Sequence, residues 1–401
     1  AQPGPCCLLS QCCRPAGSCH RQSQAARGSW TTGHWLAGNT LSAVKTTSHA
    51  DAEATLRARL AEGPDDLETL VALADLLAEQ SHDREAASLY RRALTLHDND
   101  ARALCGLGLI LHAYGDYREE GIALLQRALA FDATRLDAYR PLAWALNELG
   151  RRGEAVGVVQ AWCEADRSDP AAQHLLAAYS GAGLPERASD EFVRKTFDDG
   201  AGQFDSLLRE SLHYRAPEAL FEHMQAVMPS PTAQSLDVLD MGCGTGLCAP
   251  LLRPLSRRLV GVDLSAGMLE RAVARSGYDE LHCAELTSWL AEVNEQFDLL
   301  FAADTLLYFG DLGWILGLSQ HALRPGGWFA FTVEALPDAV AGSGVELATT
   351  GRFRHSEVHL QRALAASGFA NVQTMETRLR FEAGAAVMGF AVVAQRPAFP
   401  T

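Results

Sequence analysis

The stretch LDVLDMGCGTGLCAPLL, residues 236–252, determines the predicted fold of the second half of this 401-residue chain. Its apolar first part reaches an acid, Asp240, and three glycines follow at alternate positions, Gly242, Gly244 and Gly246. The apolar run predicts a buried parallel strand, and the residues after the glycines predict the start of a helix. Glycine allows positive φ angles and a close approach of the backbone to a ligand at a helix N-terminus. The pattern therefore predicts a nucleotide-binding strand–loop–helix unit.

Two common phosphate-binding loops do not fit this spacing. The dinucleotide fingerprint G-x-G-x-x-G requires a third glycine at position 247, where this chain has Leu247. A Walker loop requires a Gly-Lys-Ser/Thr sequence, which is absent from the stretch. The loop therefore does not favour a pyrophosphate ligand.

Further strand patterns follow the glycine loop. Residues 257–265 (RRLVGVDLS) predict a second strand that ends at Asp263, and ELHCAEL and FDLLFAAD predict a third and a fourth. The stretch HALRPGGWFAFTVE predicts a helix end, a Pro-Gly-Gly turn and a fifth strand. FANVQTMETRLRF and AVMGFAVVAQRP predict a final antiparallel pair. Together these patterns predict an α/β domain with a seven-stranded sheet.

The LDMGCGTG loop, the second strand and the RPGG strand closely resemble those of class I S-adenosylmethionine-dependent methyltransferases, over about residues 192–397. The resemblance implies a Rossmann-like sheet and S-adenosyl-L-methionine as the cofactor. It also implies that Asp263 accepts hydrogen bonds from the ribose hydroxyls. The other cofactor contacts that it implies are Asp240, Gly242, Cys243, Gly244, Gly246, Leu264, Met268, Ala284, Glu285, Ala303 and Tyr214.

The first half of the chain has a repeated helical pattern with a period near 34 residues. EAASLYRRALTLHDNDARA at Glu85 returns as EGIALLQRALAFDATRLDA at Glu120 and as EAVGVVQAWCEADRSDPAA at Glu154. The pattern resembles the tetratricopeptide repeat, a helix hairpin that stacks into a superhelix with a groove for peptides or partner domains. A spacer or a dimerisation platform is the alternative interpretation. Small residues recur where paired helices should touch, at Ala74, Gly108, Ala143, Ala86, Gly121 and Ala155.

The combination resembles bacterial methyltransferases that carry tetratricopeptide repeats. We expect a disordered or targeting tail in residues 1–50, a repeat domain in 51–190, connecting helices and a lid in 191–235, and the methyltransferase domain in 236–397. The tail shows no helical or strand period and contains no acidic residue, which favours disorder and also suits an organelle transit peptide. Its cluster CCLLSQCCRPAGSCH lacks the usual spacing of metal ligands, so we expect no metal site.

Charge and hydropathy exclude some partners. The net charge of −15 predicts repulsion from phosphate backbones, so we expect no nucleic-acid partner. No apolar run reaches the roughly 18 residues that a membrane span requires, so we expect no membrane partner. Five cysteines scattered through patterned segments are typical of buried residues in a reducing compartment, so we expect a cytoplasmic protein.

The chemistry of methyl transfer limits what the sequence predicts about catalysis. Transfer from a sulfonium requires mainly alignment of acceptor and methyl group, and an acceptor of high pKa also needs a base. Asp304, Tyr308 and His355 are the candidate bases. His355 and Arg352 fall in a region that forms the acceptor lid in similar enzymes. The fourth strand is followed by ADTLLYFGD rather than by the Asn/Asp-Pro-Pro-Tyr/Phe motif of enzymes that methylate nucleic-acid bases.

These observations favour methylation of a small molecule at an O, N or C atom. A protein acceptor recruited by the repeats is the second hypothesis. A third is a repeat-based adaptor protein whose methyltransferase fold is vestigial. The intact glycine loop and Asp263 favour an enzyme over an adaptor, because an adaptor gains nothing from them.

Overall fold

The computed structural model describes residues 49–114, 117–198, 205, 208, 212–337, 344–382 and 384–398. Nearly all of the predicted tail, and part of the predicted lid in residues 191–235, lie outside these ranges. None of the helices within the described ranges has the length and apolar character needed to cross a bilayer.

Residues 49–114 and 117–180 form consecutive helices, and each helix packs against the next one along the chain. The first seven have 13 or 14 residues and the eighth has 11, and their pairing agrees with the predicted helix hairpins. Their assignment as tetratricopeptide repeats stays a prediction. The helices are α1 His49–Glu62, α2 Leu67–Glu79, α3 Asp83–Leu96, α4 Ala101–Ala113, α5 Arg118–Phe131, α6 Leu136–Glu148, α7 Arg152–Ala165 and α8 Pro170–Ser180. We call this part of the chain the helical array.

Small residues permit the close approach of paired helices in the helical array. A Cβ atom at Gly121 in α5 would lie 2.5 Å from the backbone nitrogen of His112 and 2.9 Å from the carbonyl oxygen of Gly108 in α4. Real Cβ atoms do not tolerate such distances to backbone atoms, because interiors are already close-packed. The predicted small-residue contact therefore lies at the interface between α4 and α5.

The second half of the chain contains a mixed sheet with nine strands in its described residues. The order β3-β2-β1-β4-β5 is parallel, and β5 then pairs antiparallel with β9, which pairs with β8. The strands are β1 Leu236–Met241, β2 Ser256–Asp263, β3 Glu280–Cys283, β4 Phe297–Ala302, β5 Leu323–Ala335, β6 Val345–Leu347, β7 Phe353–His355, β8 Ala370–Glu382 and β9 Ala385–Gln395.

The seven predicted strands are present, and β6 and β7 are two additional ones. Each of these has three residues, too few to show a period of two in the sequence. The predicted Pro-Gly-Gly turn lies inside β5 as an irregularity. Phe297 pairs with Leu323, but Leu299 pairs with Trp328, so the residues in between protrude from the ladder.

Helices cover both faces of the sheet. This cover is required because consecutive residues of β1 place apolar side chains on opposite faces. Val238 packs in a core with Leu220 on one face, whereas Leu239 packs in a separate core with Phe329 on the other. The remaining helices are α9 Asp190–Asp198, α10 Ala216–Val227, α11 Ala249–Leu252, α12 Ala266–Arg275, α13 Leu286–Leu290, α14 Gly313–Ala322 and α15 Glu357–Ala366, with a 3₁₀ helix at Leu306–Tyr308.

The additional strands join the sheet to the helical array. Glu334 of β5 pairs with Gly389 of β9 on one edge and with Arg354 of β7 on the other, so β7 occupies the edge of β5 beyond the end of β4. Phe353 of β7 belongs to the hydrophobic core of the helical array. The ring Nε2 of His174 in α8 lies 2.8 Å from the Gly351 carbonyl oxygen. The array therefore contacts the sheet near the carboxyl end of β4.

We predict opposite effects for two glycine-to-alanine substitutions in the helical array. Gly121→Ala should lower the free energy of unfolding by about 1–3 kcal/mol, because its Cβ would collide with backbone atoms of α4. Gly157→Ala in α7 is the control, because its Cβ would meet no atom within 4 Å. It should raise the free energy of unfolding by about 0.5–1 kcal/mol. Urea denaturation followed by circular dichroism measures both, and a stable Gly121→Ala protein would contradict the packing.

Candidate active site

A cavity of about 250 Å³ lies at the carboxyl ends of β1, β2 and β4. This is the edge at which open α/β sheets bind their ligands, and the volume is close to the range of about 300–1,000 Å³ for small-molecule sites. The sheet loops, α9 and the residue before β7 contribute to its walls, and α6 of the helical array contributes Arg140. The cavity is therefore built jointly by the sheet and the helical array.

The glycine loop after β1 forms one end of the cavity. Gly242, Gly244 and Gly246 have φ angles of 71°, 53° and 84°, in the region that side chains disfavour. A Cβ at Gly242 would collide with Thr305, whereas a Cβ at Gly244 would meet no atom within 4 Å. Gly244 thus leaves open space beside its backbone, and Gly242 permits the loop to pass close to the end of β4.

Asp263 holds this loop against the end of β2. Its Oδ2 accepts a 2.8 Å hydrogen bond from the Gly244 N–H, and its Oδ1 accepts a 2.9 Å bond from the Ser265 N–H. Burial raises the pKa of the Asp263 carboxyl, while the two backbone N–H groups act in the opposite direction. Each oxygen has a second lone pair, so the carboxylate has acceptor capacity left for a hydroxyl-bearing ligand.

The residues that the resemblance places near the adenine also face the cavity. Leu264, Met268, Ala284 and Glu285 all line it. Glu285 caps α13, because its carboxylate accepts hydrogen bonds from the backbone N–H groups of Thr287 (3.0 Å) and Ser288 (2.7 Å). These bonds lower the pKa of Glu285 despite its burial, so the side chain stays an ionised acceptor at neutral pH.

Two predicted cofactor contacts do not face the cavity. Asp240 is buried beneath the loop, where its Oδ2 accepts a 2.7 Å hydrogen bond from the Tyr278 hydroxyl. Burial raises the pKa of Asp240 to about 7, and its Oδ1 has no hydrogen-bond partner among the described residues. A Cβ at Gly246 would point at Tyr278 rather than into the cavity. Asp240 and Gly246 therefore shape the glycine loop from the side that faces away from the cavity.

The described part of the predicted lid contacts the cofactor end. The Thr245 hydroxyl donates a 2.6 Å hydrogen bond to Asp205, and the Ser265 hydroxyl donates to Asp198 at the end of α9. Tyr214 lines the cavity as predicted, two residues before α10 begins. Burial keeps the pKa of Tyr214 well above its usual range, so its hydroxyl stays protonated.

The end of β4 brings Ala303, Asp304 and Tyr308 to the cavity wall. Asp304 has a φ of 55°, and its carboxylate lies 2.7 Å from Arg380 and 3.1 Å from the Thr332 hydroxyl, which donates to it. Burial raises the pKa of Asp304, and Arg380 opposes this shift. Burial also raises the pKa of Tyr308 to about 12, so Tyr308 is better suited to donate a hydrogen bond than to act as a base.

A network of buried charges lies behind this wall. Arg352 bonds to Glu334 at 2.6 Å and to Glu382 at 2.5 Å. Arg380 bonds to Glu334, to Asp304 and, at 2.7 Å, to Glu382. Burial alone would raise the pKa of Glu334, but the neighbouring arginines lower it to about 2. Each charge in the network therefore has a partner, which buried ions require.

His355 is placed differently from the prediction. Its side chain is fully buried in β7 outside the cavity lining, and its Nε2 lies 2.9 Å from the Phe309 carbonyl oxygen. Burial lowers the pKa of His355 to about 4, so the ring is neutral at pH 7 and a weak proton acceptor. The geometry therefore does not favour His355 as the base. Arg352, by contrast, lines the cavity as predicted.

The residues present fit S-adenosylmethionine. The open space beside Gly244, the acceptor capacity of Asp263 and the apolar Leu264 and Met268 match a ribose and an adenine. Sequence reasoning missed Arg140, Arg380 and Glu382 in the cavity lining. The available sequence signal was the spacing of Arg378 and Arg380, two positions apart in a predicted strand. That spacing does not show which of the two arginines is buried.

Comparisons with known proteins support this interpretation. Residues 239–331 match the family described as "Methyltransferase domain". Malonyl-[acyl-carrier protein] O-methyltransferase of Acetivibrio thermocellus is 35% identical over 99 residues, which are 24% of this chain and 35% of that protein. Ubiquinone biosynthesis O-methyltransferase of Chelativorans sp. is 31% identical over 150 residues, which are 34% of this chain and 59% of that protein. The chain thus spans less than two thirds of the length of either relative.

Among solved structures, an S-adenosylmethionine-dependent methyltransferase from Mesorhizobium loti is 23% identical, with a TM-score of 0.35. The alignment covers 44% of this chain and 96% of that one. The family match and the cavity agree on the predicted cofactor. Residues 239–331 are thus similar to a methyltransferase domain family whose methyl donor is S-adenosyl-L-methionine.

Proposed function

We propose that this chain is an S-adenosylmethionine-dependent methyltransferase that methylates a small molecule in the cavity between the sheet and the helical array. The main support is that one cavity is lined both by the glycine loop with Asp263 and by Asp304 with Tyr308. A donor at one end and an acceptor at the other would share a single enclosure, as direct methyl transfer requires.

The walls favour alignment of the reactants and exclusion of water. Phe192 and Val193 of α9 line the cavity together with Leu307 and Phe309 of the segment after β4. Such apolar walls bind the body of a small molecule and leave orientation to a few polar groups. S-adenosylmethionine, when bound, supplies a methyl group on a sulfur that keeps the electron pair of the broken carbon–sulfur bond as the acceptor atom takes the methyl.

Asp304 and Tyr308 have separate roles in this proposal. Asp304 is the carboxylate in the wall that takes the proton of the acceptor, directly or through water. Its raised pKa makes it a better base than an ordinary aspartate, while Arg380 limits the rise. The Tyr308 hydroxyl has no hydrogen-bond partner among the residues that the structure describes, so it is free to orient the acceptor.

The names of the relatives favour oxygen among the acceptor atoms left open by the sequence. The curated proteins named above are O-methyltransferases, and a third relative from Paracidovorax citrulli, 34% identical over 102 residues, is a trans-aconitate 2-methyltransferase. The malonyl group of the first is attached to a carrier protein. The carrier-bound malonyl group supports a second candidate function, in which tetratricopeptide repeats of the helical array recruit a protein-bound acceptor.

A non-catalytic adaptor is less well supported. An adaptor would not require three left-handed glycines at alternate positions, and Gly244 in particular leaves open space in the cavity that an adaptor would not use. A cytoplasmic location and the absence of nucleic-acid and membrane partners stay predictions.

The ribose assignment can be tested by replacing Asp263. We expect Asp263→Ala to weaken binding of S-adenosylmethionine by about 2 kcal/mol, or roughly thirtyfold in Kd, because a charge-assisted hydrogen-bond pair is lost. Isothermal titration calorimetry of the full chain measures this. Glu270→Ala on the exposed side of α12 is the control and should bind like the wild type. Equal affinity of Asp263→Ala and wild type would remove the assignment.

The base assignment can be tested with an acceptor found by screening small hydroxyl compounds with radiolabelled donor. We expect Asp304→Asn to lower kcat by about 10²–10⁴-fold, because an amide cannot take the proton. Tyr308→Phe should mainly raise KM, by about tenfold or less, since one neutral hydrogen bond is lost. Donor affinity and the unfolding midpoint of both variants show whether the cavity is intact. A kcat of Asp304→Asn near that of the wild type would exclude Asp304 as the base.

A further inference from the structure

Arg140 lines the cavity although it belongs to the helical array. It lies in α6, within the repeat that contains Ala143, whereas the other arginines of the cavity belong to the chain beyond α8. Apart from burial, four nearby groups have the largest electrostatic effect on the pKa of Arg140: Tyr179, Arg352, Tyr308 and Asp169. None of these belongs to the glycine loop or to the adenine end. Arg140 therefore faces the part of the cavity assigned to the acceptor.

The other cavity arginines are all paired with carboxylates. Arg187 lies 2.5 Å from Asp190, and Arg352 and Arg380 each bond to at least two acids of the buried network. Arg140 forms no hydrogen bond or ion pair with any residue that the structure describes. The nearby acid Asp169 is used elsewhere, since it accepts from Lys195 (3.1 Å) and from the Trp162 indole N–H (3.1 Å).

An unpaired arginine in this position costs free energy unless an anion binds to it. Burial lowers the pKa of Arg140, because removal from water disfavours the charged form. Arg140 is partly buried and its guanidinium stays charged, and charges withdrawn from water are normally paired. Its planar donors match carboxylate and phosphate oxygens, which accept two parallel hydrogen bonds.

We propose that Arg140 binds an anionic group, a carboxylate or a phosphate, on the methyl acceptor. This inference rests on the proposed function and extends it: the substrate is an acid with an apolar body, and the helical array supplies the residue that recognises its charge. The array is then a wall of the active site, whatever else it binds. Phe192 and Leu307 contact the apolar body, while Arg140 fixes its charged end.

Matched pairs of small probes test this on the full chain saturated with S-adenosylhomocysteine. The first pair is 3-hydroxybenzoate and 3-hydroxybenzamide, which differ in charge but hardly in shape. The second is phenyl phosphate and phenol. By isothermal titration calorimetry, we expect one anionic probe to bind the wild type at least tenfold more tightly than its neutral counterpart. The pair that shows the preference distinguishes a carboxylate from a phosphate.

Variants assign the preference to Arg140. Arg140→Gln should abolish it without changing the affinity for S-adenosylhomocysteine, and Arg140→Lys should retain part of it, because a point charge replaces the planar donor pair. Arg91→Gln on the exposed side of α3 is the matched control and should keep the full preference. If Arg140→Gln fails to fold, the wild-type preference and the Lys variant still decide the question.

Three results would overturn the inference. One is a wild type that binds S-adenosylhomocysteine but shows no preference for either anionic probe. Another is a preference that survives in Arg140→Gln. The third is a loss of cofactor affinity in Arg140→Gln, which would assign Arg140 to the carboxylate of the cofactor. Failure of the wild type to bind S-adenosylhomocysteine would instead contradict the proposed function itself.

Discussion

The hydrogen bond between the Gly244 N–H and Asp263 Oδ2, 2.8 Å long, is the interaction on which the site depends. It joins the loop after β1 to the end of β2, and it forms because the glycines of that loop adopt left-handed φ angles. Gly242 lets the same loop pass Thr305 at the end of β4. Three strand ends therefore meet around one space, and the cavity is what remains between them. A side chain at Gly244 would occupy that space, and one at Gly242 would push the loop away from Thr305.

A second constraint is the buried charge network at the opposite end. Asp304 follows β4, Glu334 lies in β5, Arg352 precedes β7, and Arg380 and Glu382 belong to β8. Removing such charges from water is unfavourable, and their mutual pairing offsets that cost only when every member is present. The network therefore fixes four segments of the chain relative to one another. Because β7 also packs into the core of the helical array, the network and the array together set the shape of the cavity at the end of β4.

Most of the sheet could be predicted because each long strand shows its own apolar pattern and ends at a turn. The position of Asp263 at the end of β2 could be predicted because the apolar run before it ends there, whereas its contact with the ribose stays a prediction. The same reasoning did not anticipate that the carboxyl of Asp240 is buried and accepts from Tyr278, 38 positions away in the chain. It also misplaced His355: the three residues of β7 give no periodic signal, so the sequence suggested a loop where the structure has a buried strand.

The sequence by itself determined the local features of this protein: strands and glycine bends along the sheet, helix hairpins with small residues at their contacts, and the acid at the end of the second strand. These depend on neighbours within a few positions, where side-chain period and backbone freedom act directly. Only the tertiary structure decided which charged residues are buried together, and that Arg140 has no ion pair with the residues that the structure describes. Arg380 meets Glu334 across 46 positions, and Arg140 reaches the cavity from another part of the fold. Pairing of buried charges is a through-space property, and no local pattern encodes the distance between segments that meet only after folding.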